Sequence, residues 1–367
     1  RTLLPLLYFL VIYIRSRLMP VIKQHYVPQF FFRFFGWKGK KKYLINIYNI
    51  ENSINHENVC VEDICHEEYF YGEDGVIESD LAKLEAEWAS NFRRIIEGRR
   101  HTLSPKIKVS IYKFIVYQLL RTLSAKKYLD DSITGLEDLL RYKGIKLQPL
   151  KKDIKILLNM PDEAYEAIRD LNSVIIDNTT DVDFIISDNP CICTNIFTNI
   201  AIGLKLIGTI IFIPISPKRL LLLYDRKSVN LKIMNYSIND KEEINRINSY
   251  QYINANRLLI GNNFAFFTNK VNNSKLEGYR KHKIEYNKVN SVEVGRKLLI
   301  ANKSGFIPYY VNIPWIELDY SLGLIPEISR YPISRIIDKD QLEFNLKMIK
   351  HRDIYSGVIQ DYWKHHI

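Results

Sequence analysis

Two short polar motifs, far apart in the chain and each set in apolar sequence, hold residue types that can do chemistry. The first is His25-Tyr26-Val27-Pro28, followed directly by Gln29-Phe30-Phe31-Phe32-Arg33-Phe34-Phe35. The second is Ser187-Asp188-Asn189-Pro190, at the end of a strand-like run. A histidine and a carboxylate, each followed closely by a proline that stiffens the backbone, read as two halves of one site. An imidazole titrates near neutrality and can move a proton or bind a metal, while a carboxylate can hold a divalent ion. Each motif also has a structural reading. A histidine among aromatic residues is commonly a satisfied core residue, and Asp-Asn before proline makes ordinary turns. Ser187 lacks the glycine elbow that exposes nucleophilic serines, which counts against it as a nucleophile.

Two helical stretches must present the remaining candidates. Over residues 104–127, Ile107, Ile111 and Phe114 define an apolar face, Gln118 falls in its middle and Arg121 near its edge. A buried Gln and Arg need partners, because an unpaired buried charge is strongly unfavourable. A carboxylate elsewhere in the fold is the natural partner of Arg121, either in a site or in a structural pair tying this helix to the sheet. Over residues 77–97, Ile77, Leu81, Leu84, Trp88, Phe92 and Ile95 recur at helical spacing. Glu78 and Glu85 border that stripe, with Glu85 the nearer to Leu81 and Phe92. Solvation or an ordinary Arg pair is the usual state of such border carboxylates. The candidate assignments are therefore His25, Arg121 and Asp188 as catalytic groups and Gln118 and Asn189 as substrate contacts. Glu85 and Asp188 are the candidate ligands of Mg2+ or Mn2+, with no organic cofactor expected.

The positioning elements follow from periodicity and punctuation. Residues 43–50 read as a strand and 57–71 as a short helix and turn. Ser104-Pro105 opens the second long helix, with Ser as cap and Pro at the first position. Further helices are expected at 132–142, 149–158 and 162–176. The character then changes to short β-branched runs at 182–187, 209–215 and 219–224. A helix over 239–254, capped by Ser237 or Asn239, precedes strands at 257–260 and 264–267. Beyond about residue 272 comes a Lys/Asn-rich link, then an aromatic–proline stretch over 306–326 and a terminal helix. Helices first and strands later predict an α+β fold, an N-terminal helical layer on a mainly antiparallel sheet from the second half, with a C-terminal extension. Residues 19–271 form the expected core and 272–367 the extension. Residues 1–18 read as an upstream segment ahead of Met19, since their apolar run is shorter than the roughly 17–25 residues of a spanning helix and is interrupted by Pro5; a membrane-tethering N-terminus is the alternative.

With 367 residues, 47% apolar and 25% charged, the composition is globular rather than disordered or multi-span. The net charge of +11 points to an anionic partner such as nucleic acid, nucleotide or acidic lipid. Local basic clusters say more than the total, because an Ile/Asn/Lys/Tyr-rich composition follows from AT-biased coding alone. They are Lys38-Gly39-Lys40-Lys41-Lys42, then Arg93, Arg94, Arg99 and Arg100, and Arg280-Lys281. A solvated surface is the ordinary reading of each. Cys60/Cys65 and Cys191/Cys193 are spaced C-x4-C and C-x-C, unlike ordinary zinc knuckles, so buried thiols in a reducing cytoplasm are expected. No stable membrane insertion is expected.

The motifs together resemble the bacterial domain-of-unknown-function family four-two-three-eight, over roughly residues 22–270. Shared features are the H-Y-V-P-x-F-x-L-R-x-F opening, here His25 to Phe35 with Phe32 in place of Leu, and a glutamate-bearing helix around Glu78 and Glu85. They continue with Gln118-x-x-Arg121, Ser187 to Pro190, Pro214-Ile215-Ser216-Pro217, and a helical Asn (Asn245 or Asn248) before a strand near Arg257. The resemblance implies no activity by itself. The inward-facing polar set suits hydrolysis of a phosphate ester better than acyl transfer. The expectation is a metal-assisted phosphodiesterase or nuclease, in the manner of a toxin or phage-defence effector. The alternative is a non-catalytic nucleic-acid or protein-binding module in which the His–Asp–Arg set is a buried structural network.

Overall fold

The computed structural model describes residues 21–142, 153–196, 204–205, 208–286, 289–294, 297–302 and 313–318. The upstream segment 1–18, the start of the expected 149–158 helix and the terminal helix lie outside the described residues, as does 306–326 apart from 313–318. The chain enters through β1 (Lys23–His25), the single-turn helix α1 (Gln29–Phe32), β2 (Trp37–Lys38), β3 (Tyr43–Asn49), β4 (Ile54–Cys60) and β5 (His66–Glu68). The helices α2 (Val76–Glu97), α3 (Pro105–Leu120), α4 (Leu123–Tyr142), α5 (Lys155–Leu158) and α6 (Pro161–Glu166) follow. The second half supplies β6 (Asn172–Asn178), β7 (Ile186–Ser187), β8 (Ile192–Asn195), β9 (Thr209–Ser216), β10 (Arg219–Tyr224), β11 (Val229–Leu231) and β12 (Ser237–Ile238). It closes with α7 (Lys241–Asn254), β13 (Leu258–Gly261), α8 (Ala265–Thr268), α9 (Lys270–Tyr286), β14 (Val289–Val294), β15 (Lys297–Asn302) and β16 (Ile316–Leu318).

The architecture is α+β, with an N-terminal helical layer on sheets that are mostly antiparallel. The five-stranded sheet runs β12-β6-β10-β9-β8, and only the short β12–β6 pair is parallel. Every residue of β9 is buried. That is why its sequence is a continuous apolar run instead of an alternation: both faces of the sheet are covered. Ile211, Ile213 and Ile215 share a core with Phe31, Phe92 and Phe114 of α1, α2 and α3. Ile210 and Phe212 share another with Ile244, Ile247 and Tyr250 of α7. Phe92 and Phe114 meet edge to face with centroids 4.7 Å apart, a geometry worth about 0.5–1.5 kcal/mol beyond area burial. The buried Asn91 amide donates to Ser110 Oγ at 2.9 Å and locks α2 to α3.

A second sheet decides how the two motifs meet. β13 pairs with β3 on one side and β7 on the other, both antiparallel. The N-terminal strands are thereby stitched to the strand that ends at Ser187. β1 adds to β5, with His25 opposite His66.

Several expected elements differ, each for a local or tertiary reason. Residues 57–71 hold the end of β4, a 3-10 turn and β5, because β3 and β1 offer backbone partners that local propensity cannot reveal. The helix from residue 104 ends at Leu120. Thr122 Oγ1 accepts the Ala125 N–H and starts α4 afresh, while the Arg121 side chain is buried. Ser104 makes no side-chain capping bond, although Pro105 does open the helix. Residues 162–176 split, because the β-branched Val174-Ile175-Ile176 pairs with β10. Only the end of 182–187 is strand. Asp240 caps α7 through the Glu242 N–H, and Asn263 Oδ1 accepts the Ala265 N–H at the start of the helix found where 264–267 was expected as a strand. The Lys/Asn-rich stretch after 272 continues α9, whose Asn273 and Glu277 accept from the Tyr252 hydroxyl.

Candidate functional site

Arg121 is the centre of the first polar network. The break between α3 and α4 lets its side chain turn inward, where it is fully buried. Its Nη1 donates to Glu85 Oε1 at 2.8 Å, and its Nε donates to Gln118 Oε1 at 3.2 Å. Gln118 in turn donates through Nε2 to the Tyr26 carbonyl at 3.0 Å, linking α3 to the His25 motif. The buried Nη2 makes no hydrogen bond among the described residues. Burial alone works against the guanidinium charge, but Tyr71, Glu85 and Glu78 outweigh it and raise its pKa. The Glu85 side chain is 27% exposed, so this pair reaches solvent on the carboxylate's side.

Glu78 lies two turns before Glu85 on α2. Burial, reinforced by repulsion from Glu85 and opposed by Arg121, lifts its carboxyl to about 7. The Tyr71 hydroxyl donates to the His25 carbonyl at 3.0 Å and lies in the field of Arg121, Glu85 and Glu78. Burial raises its pKa as well.

His25 sits at the border of this network, half-buried. Its Nε2 is 3.2 Å from the Glu62 carbonyl, a partner that requires the proton on Nε2 and leaves Nδ1 as the acceptor. Its ring meets His66 edge to face at 5.4 Å. Burial, against the pull of the Glu62 carbonyl and with the help of His66, Lys23 and Arg121, lowers its pKa to about 4. The imidazole is neutral at physiological pH.

Asp188 belongs to a second network. It is buried, and its two carboxylate oxygens accept the backbone N–H groups of Asn256 at 2.8 Å, Arg257 at 2.8 Å and Leu258 at 3.2 Å. Burial raises its pKa against the pull of these amides and of Arg257. Three donors aimed at two oxygens need lone pairs, which the carboxylate supplies. Asn189 donates to the Asn254 carbonyl at 3.3 Å, and Asn254 returns a bond to the Asn189 carbonyl at 2.7 Å. Ser187 Oγ lies 2.9 Å from Gln251 Oε1, and Gln251 Nε2 donates to the Pro190 carbonyl at 2.8 Å. Asn248, rather than Asn245, is the buried helical Asn: its side chain bonds the Ile185 N–H and the Asp183 carbonyl.

Glu85, Gln118 and Arg121 are thus in direct contact, with His25 beside them, while Asp188 and Asn189 form a separate turn. Tyr26 spans the two. Its carbonyl takes Gln118, and its buried hydroxyl makes no hydrogen bond among the described residues, with Cys65, Asp188 and Arg257 as its charged or titratable neighbours. Glu85 and Asp188 share no partner. Among the described residues no group of three His, Cys, Asp or Glu side chains converges as a metal site, and none of the four cysteines forms a disulfide. Tyr71 carried no sequence signal. The spacing of Glu78 and Glu85 did, because residues two turns apart must share a helix face. Gln251 and Asn254 were legible only as polar residues within a helix that buries most of its last turns.

The chain belongs to the DUF4238 family, described as a protein of unknown function, whose model matches residues 23–264. No curated protein and no solved structure matches it. No helix among the described residues is long and apolar enough to cross a membrane.

Proposed function

We propose that the Arg121 network is the working site of a hydrolase acting on phosphate esters, with nucleic acid or a nucleotide as the substrate class. The supporting observation is a fixed buried cation with an unused N–H, set beside a carboxyl, Glu78, that titrates at about 7. A guanidinium neutralises phosphoryl charge, and a carboxyl poised at neutrality exchanges a proton with the reacting oxygens. In this scheme the oxygen of water bonds to phosphorus as the ester P–O bond breaks. The proton from water goes to His25 Nδ1, and the leaving oxygen takes the Glu78 proton. Glu85 holds Arg121 in place, and Gln118 orients it.

Mg2+ or Mn2+ would be held by the partly exposed Glu85 carboxylate alone and would complete its shell from phosphate and water, leaving Glu78 to carry the proton. Asp188 positions its turn and takes no part. Four cysteines outside any disulfide fit a cytoplasmic protein.

The test is hydrolysis of bis(4-nitrophenyl) phosphate and of oligonucleotides, with Mg2+, Mn2+ or chelator present. Wild-type turnover should show an inflection near pH 7, and Glu78→Gln should lose about 100-fold or more together with that inflection. Wild-type turnover in Glu78→Gln overturns the scheme. The full burial of Arg121 favours a second reading, a structural tie between helices and sheet in a non-catalytic binding module. Absence of turnover in every divalent ion, with a large stability loss in Glu85→Gln, selects it.

A further inference from the structure

The β2–β3 hairpin carries a basic tip whose Lys42 is tied through Glu62 to His25. Gly39 closes the turn with an N–H bond to the Lys42 carbonyl at 2.8 Å. Lys38, Lys40 and Lys41 are exposed and form no ion pair among the described residues. Unpaired cations brought together by a short turn repel one another, so an anion along the tip is favoured. Aromatic and guanidinium planes frame the lysines. Trp37 is 37% exposed, and Arg33 lies over the Tyr43 ring at 5.2 Å. Register puts Lys38 opposite Tyr43 and Trp37 opposite Leu44, so Lys38, Tyr43 and Arg33 share one face and Trp37 looks out from the other.

The hairpin is also wired to the site. Lys42 pairs with the Glu62 carboxylate at 2.7 Å, and the Glu62 carbonyl is the partner of His25 Nε2.

We propose that this hairpin is a contact for single-stranded nucleic acid, the lysines neutralising backbone phosphates and Trp37 or the Tyr43–Arg33 stack supporting a base. Charge alone would suit an acidic lipid surface too. Exposed aromatic and guanidinium planes beside lysines match the stacking and phosphate contacts of single-strand binders. The inference deepens the phosphoester reading by naming how the polymer is engaged, and rests on it only for what becomes of the strand once bound.

The test is anisotropy of a fluorescent single-stranded oligonucleotide across a salt series, a binding readout that needs no turnover. The triple variant K38S/K40S/K41S should weaken binding at least about tenfold and flatten the salt slope by about two, at about 0.7 per phosphate contact. K106S/K127S/K270S removes the same charge from exposed lysines elsewhere and should weaken it no more than about threefold. Trp37→Ala should weaken it about fivefold or more. Equal losses in the two triples, or no loss in the hairpin triple, overturn the proposal. Hairpin-dependent binding to phosphatidylserine vesicles that exceeds binding to the oligonucleotide also overturns it, in favour of a lipid surface. Loss of all phosphoester turnover with hairpin-dependent oligonucleotide binding intact would sink the hydrolase reading and leave this one standing.

Discussion

The Asp188 turn and the Arg121 network are both buried, polar and charged, yet they are built on opposite terms. Asp188 spends its oxygens on three backbone amides, and the side chains around it bond reciprocally. Arg121 has a buried N–H without a hydrogen bond, a partly exposed carboxylate partner and a neighbouring acid lifted to about 7. A fully satisfied network fixes a shape, and a partly satisfied one retains free energy that a ligand can release. Two motifs that look alike in sequence, each a polar residue near a proline, therefore divide into scaffold and candidate site.

The contrast is easiest to break at Asp188. Asp188→Ala leaves three buried N–H groups unpaired and should cost about 3–5 kcal/mol, read by chemical denaturation. Activity per folded molecule should survive if the turn is only scaffold. Glu85→Gln should cost about 2–4 kcal/mol, because it leaves the buried Arg121 cation uncompensated, and should also remove turnover. A neutral outcome in either assay would erase the distinction between the regions.

Glu78 and His25 sharpen the contrast through pH. Glu78 has a raised folded pKa, so the unfolded chain loses that proton first. Its contribution to stability falls as pH rises from about 4.5 to about 7 and is flat above. Glu78→Gln should therefore stabilise the protein at pH 8, by about 1 kcal/mol after discounting for partial exposure, while lowering activity. His25 has a depressed folded pKa, so the unfolded chain protonates first. Its contribution is present above about 6.5 and is lost as pH falls toward about 4. His25→Gln should flatten the acid limb of a stability–pH curve measured between those values. Asn189→Ala is the smallest expected effect, about 1 kcal/mol of stability and no change in turnover, because it removes one hydrogen bond to the Asn254 carbonyl.

Much of this was legible in local pattern. The stripe from Ile77 to Ile95 implies α2, and Gln118 and Arg121 on an apolar face imply buried polar groups in need of partners. Each inference needs only the 3.6-residue period and the cost of an unpaired charge. Residues 57–71 and 264–267 were not legible, because a strand partner or a side-chain hydrogen bond a few atoms away outweighs weak propensities. Asp188 is a candidate metal ligand in the sequence, which shows the carboxylate but not the amides of Asn256 to Leu258 that its oxygens accept in the fold. Glu78 looked solvated for the same reason: its environment is assembled from residues distant in the chain.

The sequence by itself determined the α+β class, the burial of Arg121 and the family, since periodicity, the cost of burying charge and ordered motifs are properties of the chain. Tertiary structure alone decided which carboxylate Arg121 meets, which one three backbone amides consume, and that Lys42 of the hairpin is tied through Glu62 to His25. Those outcomes depend on β13 inserting between β3 and β7 and on the chain turning at Arg121. Pairings between distant segments are set by which surfaces can be buried together, and no local window of sequence contains that information.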